Sequence, residues 1–457
     1  MRLYRILLII AFSLYYINII GAKPPNIVFI MADDWGWGDL SCHGNNWIET
    51  PHLDGLASRG MDFYQFTSNS PICSPSRTAF LTGQYPARNA IHQQFSSIQH
   101  HISKKMPDWL NPSLPHLPKI LQQNGYKTGH FGKWHLSNNQ ITDAPHPKLY
   151  GFDTSAVFNG SGRYLNPENT CDAAIDFIKN HQHETFYINV WIHEPSTPHF
   201  PKPEYLEKYK HLTEQQRVYA AVIAEADAAI GRLLQALEDL ELNESTIVIF
   251  TSDNGPDDIG SGIKFTGDIS IGAGLGRYYS VGSNASLRGR KRSLYQGGIN
   301  VPFIISWPGQ IPMGIIDRKT IVTGVDLYPT LLHMAKIPLP ADYILDGIDI
   351  TKAIYGKSFK RKSPIYWTWN SACSNHINNW AEIGIRQGKW KLLTTKRGHR
   401  YELYNLKKST SEEKNIAHIN IVKTKKLLAM AENWQASLPE NPDPNCFSLL
   451  RKQQIGH

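Results

Sequence analysis

The sequence is poor in cysteine, with only five in 457 residues. Because this number is odd, at least one thiol stays unpaired within a single chain. If Cys73 is set aside, four cysteines remain: Cys42, Cys171, Cys373 and Cys446. They could form two disulfides in any of three connectivities, or all four could be free thiols. Cysteine usage therefore does not decide the disulfide pattern.

The sequence also lacks long blocks of lysine or arginine, although its formal net charge is +8. This absence argues against a nucleic-acid-binding arm. The mild positive balance fits anionic partners such as acidic glycans, and it fits an ordinary solvated surface equally well. Internal repeats are missing too. The glycine-rich stretch 267–283 lacks the strand-then-helix context of a dinucleotide site.

Long apolar runs are scarce, and the one that could enter a membrane lies at the N-terminus. Arg2 and Arg5 precede the apolar run Ile6–Ile20, and the small residue Ala22 follows. This layout predicts a secretory signal peptide, residues 1–22, with an uncleaved anchor as the alternative. We therefore expect an exported protein (secreted, lysosomal or periplasmic) with no integral membrane segment after signal cleavage.

What the sequence does contain is an alternation of buried strands and helices. A helical spacing of apolar residues runs over 213–242. Short apolar runs bounded by turn residues predict strands at 26–36, 185–195, 245–256 and 301–309. The alternation predicts an α/β fold, with a mostly parallel sheet sandwiched by helices.

The pattern changes after about residue 345. Residues 380–406 predict antiparallel strands with a turn at Gly388, and residues 419–438 predict a closing amphipathic helix. We therefore expect the main domain at 23–344 and a smaller C-terminal α+β domain, containing an antiparallel sheet, at 345–457.

Oxygen-bearing side chains follow two of the predicted strands. Asp33 and Asp34 end the first strand, and Asp253 and Asn254 end the third. Ligands of such folds gather beyond the carboxyl ends of the strands. Three carboxylates and one amide would suit a hard cation such as Ca²⁺ or Mg²⁺. Helix N-caps and Asx-turns are the alternative explanation.

Several blocks of the sequence resemble the sulfatases of the alkaline phosphatase superfamily. CSPSRTAFLTGQYPAR (73–88) is similar to the first signature of that family, and GYKTGHFGKWHL (125–136) to the second. Further similar blocks follow in the expected order: NIVFIMADDWGWGD (26–39), TPHLDGLASRG (50–60), TSDNGP (251–256), LRGRKRSLYQGGINVPFIISWPG (287–309) and GKWKLL (388–393). The resemblance spans roughly residues 26–437, lies nearest the arylsulfatase and N-acetylgalactosamine-6-sulfatase branch, and implies an alkaline phosphatase-like fold.

The resemblance gives Cys73 a role other than that of a half-cystine. It implies that the formylglycine-generating enzyme reads the Cys-x-Pro-x-Arg core and oxidises Cys73 to formylglycine. One hydroxyl of the hydrated aldehyde would attack the sulfur of the ester, and the second would then expel sulfate. A divalent cation, usually Ca²⁺ with Mg²⁺ as the alternative, would lower the pKa of the attacking hydroxyl.

The resemblance also implies roles for other residues. Arg77 would stabilise the hydrated aldehyde, because a guanidinium keeps its charge and donates several hydrogen bonds. The residues that would contact sulfate and the nucleophile are Lys133, His135 and Lys291, and the metal ligands would be Asp33, Asp34, Asp253, Asn254 and the modified Cys73.

The sequence departs from the family pattern in the segment 189–201. Ser196 stands where the family has a histidine that contacts sulfate and is proposed to protonate the leaving group. Serine cannot act as an acid near neutral pH. His193 or His199 would fill the gap if the loop shifts, and the alternative is that both are surface histidines. His193 and Ser196 are the candidate substrate-binding residues of this segment. Gln296 and Asn300 likewise replace a common glutamate and arginine, and we expect them to affect substrate contacts.

These observations predict a sulfate ester hydrolase acting on a sulfated sugar, a glycosaminoglycan or an aryl sulfate. Two alternatives stay open: a phosphoester or phosphonate hydrolase of the same superfamily, and a weakly active or inactive glycan-binding relative. Three Asn-x-Ser/Thr sequons predict N-glycosylation in a eukaryotic host, at Asn159, Asn243 and Asn284.

Overall fold

The computed structural model describes residues 23–159, 167–257, 275–370 and 378–455. The predicted signal peptide 1–22, Cys373 and residues 267–274 of the glycine-rich stretch 267–283 lie outside these residues. The strands in chain order are β1 (Asn26–Ala32), β2 (Met61–Phe63), β3 (Phe66–Thr67), β4 (Lys127–Lys133), β5 (Thr154–Phe158), β6 (Phe186–Trp191), β7 (Thr246–Ser252), β8 (Phe303–Ser306), β9 (Ile315–Asp317), β10 (Val322–Thr323), β11 (Ile365–Thr368), β12 (Ile383–Gln387), β13 (Trp390–Thr394) and β14 (Tyr401–Asn405).

Helices cover the sheet and connect its strands. The longest carries small and aliphatic residues at helical spacing, and its cap residue Thr213 accepts a hydrogen bond from the backbone N–H of Gln216. The α-helices are α1 (Pro51–Ser58), α2 (Cys73–Thr82), α3 (Ile98–Ser103), α4 (Leu117–Gln123), α5 (Pro167–Asn180), α6 (Pro203–Lys208), α7 (Glu214–Asp239), α8 (Gln296–Ile299), α9 (Leu327–Met334), α10 (Thr351–Ile354), α11 (Ile421–Ala436) and α12 (Leu449–Ile455).

Among the described residues, eight strands form one sheet in the order β5-β4-β6-β1-β7-β8-β2-β9. The first five strands of this order run parallel to one another. Alternate residues of β1 enter two different cores, Phe29 on one face and Ile30 on the other. Both faces of the sheet are therefore covered, as the continuous apolar runs predicted.

The predicted strand at 301–309 forms, but it does not join the parallel set. β8 pairs antiparallel with both β7 and β2. Gly255, just after β7, donates its backbone N–H to the Gly298 carbonyl at 3.0 Å, so the chain before β8 is still at the edge where β7 ends. β8 starts from that edge and has to run back through the sheet. An apolar run indicates burial but carries no strand direction.

The C-terminal region forms the antiparallel strands that the sequence predicted. A second sheet has the order β11-β12-β13-β14 with antiparallel pairing, and Gly388 makes the turn between β12 and β13 with a φ of +58°. Leu427 and Ala431 of α11 pack against this sheet. The prediction that α11 closes the chain is wrong, because α12 follows it. The fold class is confirmed, and the boundary after residue 344 stays a prediction.

The described cysteines are free thiols: Cys42, Cys73, Cys171 and Cys446. The predicted alternative of two disulfides is therefore wrong, since Cys42, Cys171 and Cys446 would all have had to pair. Cys171 is fully buried in the core beside α7, where a thiol packs as a small apolar group. In the part of the chain that the structure describes, no helix combines the length and apolarity required to cross a bilayer.

Candidate active site

The carboxyl ends of the central parallel strands bring together residues that are far apart in sequence. Asp33 and Asp34 follow β1, Asp253 and Asn254 follow β7, and β6 lies on the other side of β1. Ligand atoms of Asp33, Asp34 and Cys73 lie within 4.8 Å of one another. The acidic residues and the cysteine that the sequence singled out therefore share one buried site.

The backbone of Asp34 turns sharply to form this cluster. Its φ of +69° is uncommon for a residue with a Cβ atom. In this conformation its N–H donates to Asp253 Oδ1 at 3.2 Å, and its carboxylate Oδ1 accepts from Asn254 Nδ2 at 2.7 Å. Within the described structure, Asp33 Oδ1 and Asn254 Oδ1 are buried oxygens without a hydrogen-bond donor.

This donor set fits a hard cation. It offers carboxylate and amide oxygens, and two of those oxygens lack a donor although they are buried, a situation that is costly unless another partner is bound. Ca²⁺ and Mg²⁺ prefer such oxygen ligands. The carboxylates are also electrostatically uneven. Burial raises the pKa of Asp253 to about 7, whereas Lys133 and Arg77 outweigh burial and hold the pKa of Asp33 well below its usual range.

Cys73 is the first residue of α2, after Ile72 in an extended conformation. Its side chain is almost sealed, with the residue 4% exposed, and Sγ lies 3.6 Å from Lys133 Nζ. Burial raises the pKa of the Cys73 thiol to about 12. The unmodified thiol is therefore protonated at neutral pH, and a protonated thiol is a poor nucleophile.

Arg77 lies one helical turn after Cys73 and is fully buried. Its Nη2 donates to Asp253 Oδ2 at 2.8 Å, and its Nη1 donates to the Lys133 carbonyl at 2.8 Å. The guanidinium also packs 5.3 Å from the Trp191 ring centroid. Arg77 thereby joins three elements, α2, β4 and the segment after β7.

Two lysines bring positive charge to the acidic cluster, which consists of Asp33, Asp34 and Asp253. Lys133 Nζ pairs with Asp33 Oδ2, and Lys291 Nζ pairs with Asp34 Oδ2. Burial disfavours both ammonium charges, but the neighbouring carboxylates outweigh it and raise both pKa values. Both lysines are therefore charged at neutral pH, so the site holds cations next to the Cys73 side chain.

Two histidines present unpartnered ring nitrogens to the described site. His135 Nε2 bonds the Phe95 carbonyl at 3.1 Å and leaves Nδ1 free, whereas His193 lacks a hydrogen-bond partner at both nitrogens. His193 follows β6, and its Nδ1 lies 3.7 Å from Asp33 Oδ2. Burial lowers the pKa of His193 to about 3. Both rings are neutral in this environment.

The three candidate residues of the segment 189–201, which are His193, Ser196 and His199, lie in different surroundings. His193 reaches the acidic cluster, but His199 bonds the Pro195 carbonyl through Nε2 at 2.8 Å. Ser196 donates its backbone N–H to the His193 carbonyl at 2.9 Å and lines a small crevice with His199 and Glu194. The residue aligned with the family histidine therefore lies in this crevice, and the ring at the acidic cluster comes from three residues earlier.

Sequence reasoning missed Asp257 as a partner of the site. Its Oδ2 lies 3.7 Å from Lys291 Nζ, and its Oδ1 accepts from Arg292 Nη1 at 2.5 Å. Although burial opposes the charge, Lys291 and Arg292 hold its pKa below the usual range. The available signal was its position, four residues after Asp253 in the same strand-end segment.

The three predicted glycosylation sites differ in how their side-chain amides are engaged. Asn284 Nδ2 donates to the Gly289 carbonyl, and Asn159 Nδ2 lies 3.5 Å from Ser137 Oγ. Asn243 begins a half-exposed turn after α7, and the described hydrogen bonds do not engage its side chain. Attachment of a glycan at Asn159 or Asn284 would disrupt existing contacts.

Comparison with known proteins decides the family. Residues 25–337 match the family described as Sulfatase, and residues 289–435 match the family described as N-sulphoglucosamine sulphohydrolase, C-terminal. The chain belongs to the sulfatase family. This sulfatase is 30% identical over 425 residues to the N-acetylgalactosamine-6-sulfatase of Canis lupus familiaris, covering 80% of this chain and 74% of that protein. It is also 30% identical over 394 residues to human arylsulfatase A, covering 75% and 69% of the two chains.

Solved structures agree with the fold. The crystal structure of Ps i-CgsB in complex with k-i-k-neocarrahexaose has a TM-score of 0.75 and 23% identity, and the match covers 95% of this chain and 98% of that one. The family resemblance seen in the sequence is confirmed, and the protein is a sulfuric ester hydrolase.

Proposed function

We propose that this sulfatase cleaves sulfate esters of carbohydrates with a formylglycine derived from Cys73 and a divalent cation, Ca²⁺ or Mg²⁺. One observation carries the proposal: Cys73, Lys133 and the acidic cluster meet at one buried strand-end site. The protonated thiol itself is poorly suited to attack sulfur. A modified side chain at this position would be in contact with the groups that stabilise negative charge.

The cation would be held by Asp33, Asp34, Asp253, Asn254 and the modified side chain at position 73. When bound, it would supply Lewis-acid stabilisation of negative charge and lower the pKa of the attacking hydroxyl. The unsatisfied oxygens Asp33 Oδ1 and Asn254 Oδ1 support this ligand set.

The chain's own side chains would bind and orient the sulfate group. Lys133 and Lys291 place two ammonium groups where oxyanion charge develops, in surroundings that exclude water and therefore strengthen the interaction. Arg77 holds Asp253 and the Lys133 carbonyl in place. The free nitrogens of His135 and His193 can hydrogen-bond the ester oxygens, so His193 would replace the missing histidine at position 196.

The substrate class is inferred from the relatives. One is named N-acetylgalactosamine-6-sulfatase, and two solved neighbours are complexes with neocarrahexaose and with D-glucosamine-2-N,6-O-disulfate. We therefore propose a sulfated carbohydrate as the natural substrate, with simple aryl sulfates as test substrates. We also propose export through residues 1–22 to the cell exterior, the lysosome or the periplasm, and maturation by the formylglycine-generating enzyme.

The test combines mass spectrometry with activity measurements. Protein co-expressed with the formylglycine-generating enzyme should carry an aldehyde in the tryptic peptide 60–77. It should hydrolyse an aryl sulfate in preference to an aryl phosphate. Cys73→Ala should abolish turnover, whereas Cys42→Ala, a control at another described free thiol, should retain it.

Three results would contradict the proposal. Turnover that survives Cys73→Ala would exclude the formylglycine mechanism. A clear preference for aryl phosphate would instead favour a phosphoester or phosphonate hydrolase. An unmodified thiol in fully active protein would show that another group supplies the nucleophile.

A further inference from the structure

A second cavity of about 250 Å³ lies outside the active site. Its walls come from the segment after β1, from β12 and from the chain around α8. The described residues that define its chemistry are Trp37, Tyr64, Gln296, Asn300, Arg318 and Arg386. None of the proposed catalytic or metal-binding residues is among its described lining residues, so a ligand in this cavity need not contact them.

Arg386 is the residue that makes this cavity unusual. It is 2% exposed, and its guanidinium has two protein partners: Nε donates to the Gly388 carbonyl at 3.1 Å, and Nη2 donates to Gln65 Oε1. Nη1 is buried and has no hydrogen-bond partner in the described structure. A buried guanidinium with an unused donor is costly unless an acceptor binds there.

The charges around Arg386 do not balance. Arg386 on β12 lies directly opposite Lys391 on β13, so two buried cations share one face of the sheet. Glu412 is the nearby carboxylate, and it is already engaged by Lys391 Nζ at 2.8 Å and by the Gln296 backbone N–H at 2.5 Å. Within this described group, Arg386 and Lys391 face one carboxylate, Glu412, which leaves one excess positive charge.

The pKa values of both Arg386 and Lys391 are lowered in this environment. Burial lowers the pKa of Arg386 to about 10, and Glu412 only partly opposes this effect. Burial also lowers the pKa of Lys391 to about 8, with Arg386 adding to the shift. Arg361 is a further cation acting on Arg386, but it is paired with Asp326. An anion in the cavity would relieve this repulsion.

The rest of the cavity suits an anion as well. Its described lining residues include no aspartate or glutamate, and Trp37 Nε1 is a second buried donor without a partner. Arg318 places a second guanidinium in the wall, 4.1 Å from the Tyr64 ring centroid. The His43 ring stacks on Trp37 with centroids 4.3 Å apart and hydrogen-bonds the Trp37 carbonyl, which fixes this wall before a ligand arrives.

We propose that this cavity is a second anion-binding site, which takes a small ligand carrying a sulfate or carboxylate group on Arg386 and Arg318. The volume exceeds that of one oxyanion, and the aromatic rings of Trp37 and Tyr64 offer apolar walls beside the guanidinium groups. A free oxyanion and an anionic sugar share the required chemistry.

The first test locates the anion directly. Crystals of the full chain soaked in selenate, a sulfate isostere, should show an anomalous peak within hydrogen-bond distance of Arg386 Nη1. A second peak is expected in the active site. A peak in the active site alone, with none in the cavity, would overturn the proposal.

The second test uses calorimetric titration with sodium sulfate, sodium glucuronate and sodium chloride at constant ionic strength. Arg386→Gln should weaken binding at the cavity by about tenfold or more, because a charged hydrogen-bond donor is lost. Arg59→Gln, at an exposed arginine that pairs with Glu238 and is not among the described lining residues, should leave the titration unchanged. Tighter binding of glucuronate than of sulfate would identify an anionic sugar as the ligand, and the reverse would identify a free oxyanion.

A further variant covers the case in which Arg386→Gln does not fold. Gln296→Glu changes no buried volume of consequence and places a carboxylate beside Lys391 Nζ, which already contacts Gln296 Oε1 at 3.0 Å. The internal carboxylate should balance the excess charge, raise the anion-free melting temperature and weaken anion binding by about tenfold. Equal responses of wild type and Gln296→Glu to sulfate, or equal effects of sulfate and chloride, would refute the site.

Discussion

Among single residues, Arg77 shows why the site needs a planar fork of donors. One guanidinium bonds both a carboxylate and a backbone carbonyl, and a lysine ammonium cannot reproduce this geometry. Arg77→Lys keeps the charge, so it should fold, but kcat/KM for an aryl sulfate should fall by about 10- to 100-fold. Arg59→Lys at an exposed ion pair is the control, and equal activity of the two variants would argue against the assigned contacts.

His116 is a buried residue whose titration affects stability. It is fully buried, its Nε2 bonds the Asn111 carbonyl at 2.9 Å, and burial lowers its pKa to about 3. In the unfolded chain His116 binds a proton near pH 6.5, whereas the buried ring of the folded chain stays neutral until about pH 3. The stability that depends on the neutral ring is therefore fully present above pH 6.5 and is lost as the pH falls toward 3.

Replacing His116 with glutamine should remove this pH dependence. Between pH 7 and pH 5, the unfolding free energy of the wild type should fall by about 2 kcal/mol more than that of His116→Gln. Urea unfolding at both pH values measures the difference. The exposed His211→Gln is the control and should follow the wild type.

The sequence predicted that the oxygen-bearing side chains after β1 and β7 come together, because strand ends in a parallel sheet meet at one edge. Their role as metal ligands stays a prediction. It left His193 and His199 as alternatives and did not predict that His193 contacts Asp33, since the path of segment 189–201 depends on local turns rather than on spacing. It also missed Asp257, which anchors Lys291 only in the folded chain. Gln296 and Asn300 line the second cavity, and this location could not be inferred from the sequence.

Of the secondary-structure elements, β4 depends on a glycine at its end. Gly132 has a φ of +101°, and an added Cβ would lie 2.1 Å from the Trp191 carbonyl oxygen on β6. Gly132→Ala should therefore lower the unfolding free energy by more than the strain of about 1–3 kcal/mol that positive φ alone costs. It should also displace Lys133 and reduce activity.

Gly125→Ala is a matched control for this prediction. Gly125 also has a positive φ, +88°, but no heavy atom lies within 4 Å of the added Cβ. It should show the strain alone, with activity retained. Equal unfolding free energies of the two variants in urea would contradict a steric role for Gly132.

The elements themselves were largely predictable. The apolar runs forecast β1, β6 and β7, and the helical spacing forecast α7, because hydrophobic periodicity follows burial directly. The direction of β8 was not predictable, since it depends on where the chain leaves the site. The helix α12 was missed too, because the expected end of the fold was placed at α11.

Across the whole molecule, the site connects segments from Asp33 to Lys291, so ligand binding should stabilise the entire fold. If Ca²⁺ binds as proposed, 100 times its Kd should add about 2.7 kcal/mol to the unfolding free energy and raise the melting temperature. Differential scanning calorimetry with Ca²⁺ and with a chelator measures this effect. Asn254→Ala should reduce the response, and a melting temperature that is insensitive to Ca²⁺ in the wild type would exclude the proposed ion.

The fold class and the family were accessible from the sequence because several motifs occur in a fixed order. The charge balance of the second cavity could not be read from the sequence, since Arg386 and Lys391 become neighbours only through the register of β12 and β13. The mild net charge of +8 says nothing about such a local excess.

The burial of Cys73 also limits when the proposed modification of its thiol could take place. At 4% exposure, on a helix beneath the strand ends, this side chain cannot enter the catalytic pocket of another enzyme once the sheet has closed. If Cys73 is oxidised to formylglycine as proposed, the oxidation would therefore have to occur on the nascent or newly translocated polypeptide. Native protein purified without the maturation enzyme should stay inert when that enzyme is added afterwards, and only unfolding should make it a substrate again.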